Sequence, residues 1–207
     1  RGAALGARPD VRALRAEQQR SSLDVRRQIA EGKVDASIGV EVRRQQGLAG
    51  TGIDGLRTGN GLGFSPAGRV MYLSDSHPSV QQVWAFDLGD DGVPRRRRLF
   101  IDFTQHAGRP DGAAVDADGG YWICGNDAGQ IHDFDTQGQW CQSLTVPMPK
   151  PSMCALGGAD LDQMFVTSII PAQTTDATRG RSGAVIALQP GVRGLPEPVF
   201  SRFPASA

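Results

Sequence analysis

From Asn60 onward the chain writes one pattern of short strands and turns three times. The first copy runs Asn60-Gly-Leu-Gly-Phe-Ser-Pro-Ala-Gly68, then Val70–Asp75, then Val83–Asp87. The second runs Asp111-Gly-Ala-Ala-Val-Asp-Ala-Asp-Gly119, then Tyr121–Asn126, then Ile131–Asp135. The third runs Ser152-Met-Cys-Ala-Leu-Gly-Gly-Ala-Asp160, then Met164–Ser168, then Val185–Gln189. The copies begin 51 and 41 residues apart, and periods of roughly 40–50 residues made of short strands mark the blades of a β-propeller.

Each copy reads as a small antiparallel meander. A short apolar strand leads into a turn rich in Gly with Asp or Pro. The second strand is bulky and almost continuously apolar, as a strand covered on both faces must be. The third alternates, and outer strands are expected at Leu99–Phe103, Trp140–Val146 and Pro198–Phe200. The expected fold is therefore all-β, a propeller of four-stranded antiparallel blades over residues 60–207. Three blades leave sheet edges open, and closed propellers carry about four to eight. The missing blades are expected from residues 1–59, from another chain, or from a larger protein.

Residues 1–59 do not repeat the pattern. Val11 and Leu14, and Val25 and Ile29, have helical spacing, but the Glu-Gln-Gln-Arg-Ser-Ser stretch between them is polar. Residues 1–30 are expected to be a marginal helix or disordered, Ser37–Val42 a weak strand, and Gly47–Gly55 a linker. Lys plus Arg and Asp plus Glu number 22 each, a balance that argues against nucleic acid or membrane as partner. Residues 1–59 hold eleven basic and seven acidic groups, against eleven and fifteen in the rest. Cys124, Cys141 and Cys154 are too few and too scattered for a disulfide framework; reduced, mostly buried strand residues are expected. No apolar run approaches the roughly 20 residues of a membrane span. The first ten residues lack the apolar core of a secretory leader, and a cytoplasmic location is the default expectation.

Three segments also carry a family signature. Asn60-Gly-Leu-Gly-Phe-Ser-Pro-Ala-Gly68 resembles the "NGLAFSPDG" segment of the senescence-marker-protein/gluconolactonase, or regucalcin-like, family. Gly108-Arg-Pro-Asp-Gly112 resembles its "GRPDG" segment, and Gly191-Val-Arg-Gly-Leu-Pro-Glu-Pro198 its C-terminal segment. The likeness covers about 150 residues, the C-terminal half of the family pattern. Upstream it thins to Glu31-Gly-Lys-Val-Asp-Ala-Ser37, similar to the family's "NDGKVD" loop. The resemblance implies a six-bladed propeller, incomplete here on its N-terminal side, that hydrolyses sugar lactones with a divalent metal at the top of the central channel. It implies that Asn60 and Asp111 are metal ligands. The family's first-blade Glu ligand has no counterpart, and the substrate-binding Arg and Asn positions read Gln28 and Ala30.

In a propeller the first strand of each blade lines the channel, so matching positions in neighbouring repeats converge. Asn60 and Asp111 are read as such a pair. Their oxygens suit a hard cation, calcium before magnesium, with zinc or manganese as further options. The plain alternative is that Asn and Asp before Gly merely make turns. Asp111 is the expected catalytic residue: one oxygen ligates, and the other takes a proton from the attacking water. Arg109 is read as solvating its loop rather than orienting a sugar hydroxyl. His77, His106 and His132 have no metal-ligand spacing, though His106 lies near the Asp111 loop. Arg95-Arg-Arg-Arg98 reads as a solvated edge before an outer strand, and Trp84 and Trp122 as wedges between blades. No Ser sits in a G-x-S-x-G elbow. The function expected is ring opening of a sugar lactone; the alternative is a propeller remnant that binds metal or a partner without catalysis.

Overall fold

The structure, a computed structural model, describes residues 53–175 and 179–196. Eleven strands are described: β1 (Gly59–Phe64), β2 (Val70–Asp75), β3 (Gln82–Leu88), β4 (Pro94–Asp102), β5 (Arg109–Val115), β6 (Tyr121–Asn126), β7 (Gln130–Phe134), β8 (Trp140–Thr145), β9 (Pro151–Gly157), β10 (Gln163–Ser168) and β11 (Ile186–Leu188). They form two antiparallel four-stranded sheets, β1-β2-β3-β4 and β5-β6-β7-β8, and a three-stranded sheet, β11-β10-β9. The first strands stand side by side, β1 against β5 and β5 against β9. These are the neighbouring inner strands that the repeat predicted.

Side-chain alternation glues the blades together. In β6, Tyr121 and Ile123 face the first sheet and join Tyr72, Val83, Ile101 and Phe103 in one buried cluster. Trp122 and Cys124 face the third sheet and meet Cys154, Met164 and Val166. All six residues of β6 are buried, because a blade lies on either side. In β10, Met164 and Val166 are buried against the second blade while Phe165 is 38% exposed on the other face. The trailing face of the third blade has no further sheet on it among the described residues.

The first blade's leading face holds Met71, Leu73 and Phe86, packed with Ile53, Leu56, Leu62 and Trp84. Trp122 is the wedge between blades that its sequence position suggested. Trp84 lies half-buried on this leading face, under the Arg97 guanidinium 3.9 Å from its ring, on the side of the first blade that no other described sheet covers. The arginine run does not precede the outer strand but opens it, since β4 starts at Pro94. Arg95 pairs with Asp91, and Arg96 and Arg98 both pair with Asp87. The run is an ion-paired strand edge, which can extend because three of its four arginines have a carboxylate within reach and the fourth, Arg97, lies over the Trp84 ring.

Cys124 and Cys154 are buried free thiols as expected, but Cys141 is exposed on the outer strand β8. The helix or disorder expected over 1–30, the strand over 37–42 and the outer strand over 198–200 lie outside the described residues. Among the described residues no helix is long and apolar enough to cross a membrane.

Candidate functional site

The side chains of Asn60 and Asp111 meet. Asn60 Nδ2 donates to Asp111 Oδ1 at 2.5 Å, while Asn60 Oδ1 accepts from the Gly61 amide at 3.0 Å. The meeting does not arise from equivalent positions, as the repeat had suggested. Gly59 pairs with Asp75, the last residue of β2, and Arg109 pairs with Asn126, the last residue of β6. Asn60 therefore matches Pro110, and Asp111 matches Gly61. Both first strands break register just after these positions, between Asn60 and Gly63 and between Pro110 and Ala113. Such bulges re-aim side chains, which lets residues one step out of phase point at each other.

The backbone packing here leaves no room for larger residues. A Cβ on Gly61, whose φ is +56°, would sit 2.7 Å from Tyr121 Oη and 3.0 Å from Asp111 O. Tyr121 Oη donates to Gly61 O at 2.5 Å, locking β1 to the second blade. A Cβ on Gly112 would lie 2.5 Å from Ser152 O and 2.8 Å from Met153 Cα. The glycines after Asn60 and Asp111 are thus where neighbouring inner strands touch.

A residue that the repeat did not single out completes the cluster. Asn126 Nδ2 donates to Asp111 Oδ2 at 2.6 Å and to Pro151 O of the third blade at 3.3 Å. Asn126 is 3% exposed, and its Oδ1 is buried with no hydrogen-bond partner. Its sequence signal was only its place, last in the second strand of the second copy, where the first copy has Asp75.

Burial pushes the Asp111 carboxyl above its usual range, against the hydrogen bonds of Asn126 and Asn60, the charge of Arg109 and the Gly112 amide. Arg109 is committed elsewhere: its Nε donates to Asp127 at 2.9 Å, and Lys150 pairs with the same carboxylate. Burial acts to raise Asp127 too, but the Lys150 and Arg109 hydrogen bonds outweigh it and hold the group below its usual range. Arg109 is thus an ion-paired residue of its loop rather than a merely solvated one.

His106 and His132 come together without approaching a ligand geometry. Their rings lie 5.8 Å apart in a cluster with Phe103 and Phe134. Both nitrogens of His132 are used: Nε2 donates to Ala107 O at 2.8 Å, and Nδ1 accepts from Ser143 Oγ at 2.7 Å. Among the described residues no group of three or more His, Cys, Asp or Glu side chains is placed to hold a metal. What Asn60, Asp111 and Asn126 offer is one carboxylate and two amides, an oxygen set of the type a hard cation takes. The orphaned Asn126 oxygen is the observation that fits such a guest.

Antiparallel sheets set side by side through their first strands, with polar side chains gathered where the first two blades meet, define the propeller class. Comparison with known proteins gives the family. The SMP-30/gluconolactonase/LRE-like region matches residues 32–170, and the chain belongs to that family. It is 36% identical over 145 residues to the 6-deoxy-6-sulfogluconolactonase of Pseudomonas putida, covering 69% of this chain and 49% of that protein. It is 31% identical over 147 residues to the L-arabinolactonase of Azospirillum brasilense, covering 70% and 48%. The crystal structure of the calcium-binding protein regucalcin from Agrobacterium tumefaciens superposes with a TM-score of 0.63 at 28% identity, over 70% of this chain and 50% of that one. The chain spans about half the length of the curated relatives it matches.

Proposed function

We propose that this chain contributes three blades to a six-bladed propeller that opens sugar lactones, with the blades beginning near residue 60 and the segment before it a separate region. Asn60 and Asp111 hold a divalent cation, calcium before the others. The observation that carries the reading is Asp111 itself: a carboxylate half-buried on an inner strand, without an ion-pair partner among the described residues, gripped by amides from β1 and β6. Such a group is kept chargeable yet unneutralised, which suits a ligand and a base. The names of the two lactonases above support the substrate class.

In the reaction, a water oxygen forms a bond to the lactone carbonyl carbon, the ring C–O bond breaks, and an open-chain hydroxy acid results. A bound divalent cation supplies Lewis-acid polarisation of that carbonyl. Asp111 takes the proton of the attacking water and returns it to the leaving ring oxygen. Asn60 positions Asp111 through Nδ2 and takes no part in proton transfer.

The test is gluconolactone ring opening followed with a pH indicator, above the spontaneous rate, with calcium, zinc or manganese and after chelation. Asp111→Asn is expected to lower kcat by about 10²–10⁴, and Asn60→Ala by less. Equal losses would make Asp111 a ligand only. A metal-loaded chain that runs at background would reject hydrolysis and leave the binding module.

A further inference from the structure

The last position of each blade's second strand can be compared across the three sheets, because the registers match: Asp75 pairs with Gly59, Asn126 with Arg109 and Ser168 with Pro151. In the first blade Asp75 is buried and spends its carboxylate on backbone amides, those of Arg57 at 2.8 Å and of Thr58 and His77 at 3.0 Å. In the third blade Ser168 Oγ accepts from the Gly183 amide at 2.9 Å and donates to Ala184 O at 3.2 Å. At both positions the side-chain oxygens staple a local loop and are satisfied. Asn126 staples no such loop. Its amide reaches Asp111 and Pro151 O, and its oxygen has no partner.

The orientation of that amide is decided by chemistry. The Asp111 carboxylate and the Pro151 carbonyl are acceptors. Turning Asn126 over would set its oxygen against both of them and strand its NH₂ group. Nδ2 therefore faces Asp111, and Oδ1 is left buried with nothing to accept from. A buried amide oxygen in that condition is costly, and buried orphans call for an explanation such as an ion. A cation held by the neighbouring Asp111 would give it one.

We propose that Asn126 is the third side chain of the metal site, fixing the Asp111 carboxylate through Nδ2 and giving the cation an oxygen through Oδ1. The inference rests on the reading that Asn60 and Asp111 hold a divalent cation. It also makes the third blade part of the site, since the Pro151 carbonyl aims the Asn126 amide. Asn126 is a ligand and positioning residue and takes no proton.

The experiment is calorimetric titration of the whole chain with calcium and with manganese, alongside thermal melts with and without calcium. Wild type, Asn126→Ala, Asn126→Asp and Asp111→Ala are compared. Asn126→Ala should weaken binding about 10–100-fold, the usual effect of losing a group that orients a ligand. Asn126→Asp keeps the oxygen and adds charge. It should melt lower than wild type without metal, because two carboxylates then face each other, and show a larger upward shift with calcium. A merely structural Asn126 would lower the melting point in Asn126→Ala without weakening metal binding. Wild-type affinity in Asn126→Ala, or a calcium shift in Asn126→Asp no larger than in wild type, would overturn the inference while Asp111→Ala still abolished binding. If Asn126→Ala does not fold, the Asn126→Asp melts decide alone. Absence of binding heat in wild type would overturn the inference together with the metal reading beneath it.

Discussion

Replacing Gly112 with Ala tests whether the seam between β5 and β9 sets the geometry of Asp111. The backbone at Gly112 does not adopt the left-handed region, so the added methyl costs nothing in conformation and acts through contact alone. It would strike Met153 Sδ, which can swing away, and it would lie 2.5 Å from Ser152 O, which is backbone and cannot. Ordinary contact begins at 3.4 Å, so β9 must retreat by roughly 0.9 Å, a gap that forfeits a quarter to a half of each contact's attraction. Overpacking of this kind costs about 1–3 kcal/mol. For a chain of this length that is a melting-point drop of roughly 2–12 °C. The control is Gly68→Ala, where φ is +65° and nothing lies within 4 Å; its cost is backbone strain alone, about 1–2 kcal/mol. The two causes separate on adding Met153→Ala, which should recover little of the Gly112→Ala loss because the Ser152 carbonyl remains. Retreat of β9 also carries the Pro151 carbonyl away from Asn126, so metal affinity should fall in Gly112→Ala and hold in Gly68→Ala. Differential scanning calorimetry and metal titration read both effects. A Gly112→Ala chain that melts within 1 °C of wild type would refute the argument that this glycine is required by close approach.

Asp116→Ala should cost about 1–3 kcal/mol, because Asp116 accepts from the Asp118 and Gly120 amides and from Trp122 Nε1 at 2.9, 2.8 and 2.9 Å; an unchanged urea midpoint would show that the indole finds another acceptor. His132 titration should make stability fall in mild acid. Burial holds this imidazole below its ordinary 6.5, against the Ala107 carbonyl, so the unfolded chain takes the proton first as pH drops. The stability is full above about 6.5 and is lost as pH falls through the lower folded value. His132→Phe should flatten the stability profile across that window, and a slope as steep as wild type's would assign the effect to another group. Arg98→Ala should change stability by less than about 1 kcal/mol, since its pair with Asp87 is solvent-exposed; a larger loss in chemical denaturation would mean that the arginine edge carries structure.

The second strands, β2 and β6, were read to the residue, because an apolar run between turn-forming residues is a local property of the chain. So was the assignment of three successive meanders, since a repeat is visible without knowing how its copies pack. The pairing of Asn60 with Asp111 was legible only through repetition and family likeness, and its stated reason was off by one residue, because a bulge changes facing without changing composition. What the sequence by itself determined is the set of described strands and the two residues at the head of the first and second blades. Tertiary structure alone decided that Asn126, fifteen positions beyond Asp111, closes over the same carboxylate, that Arg109 turns to Asp127, and that Trp84 lies on the face of its blade turned away from the second blade. Each depends on where a neighbouring strand or blade places a hydrogen-bond acceptor or a packing surface, and that placement follows from packing between segments far apart in the chain.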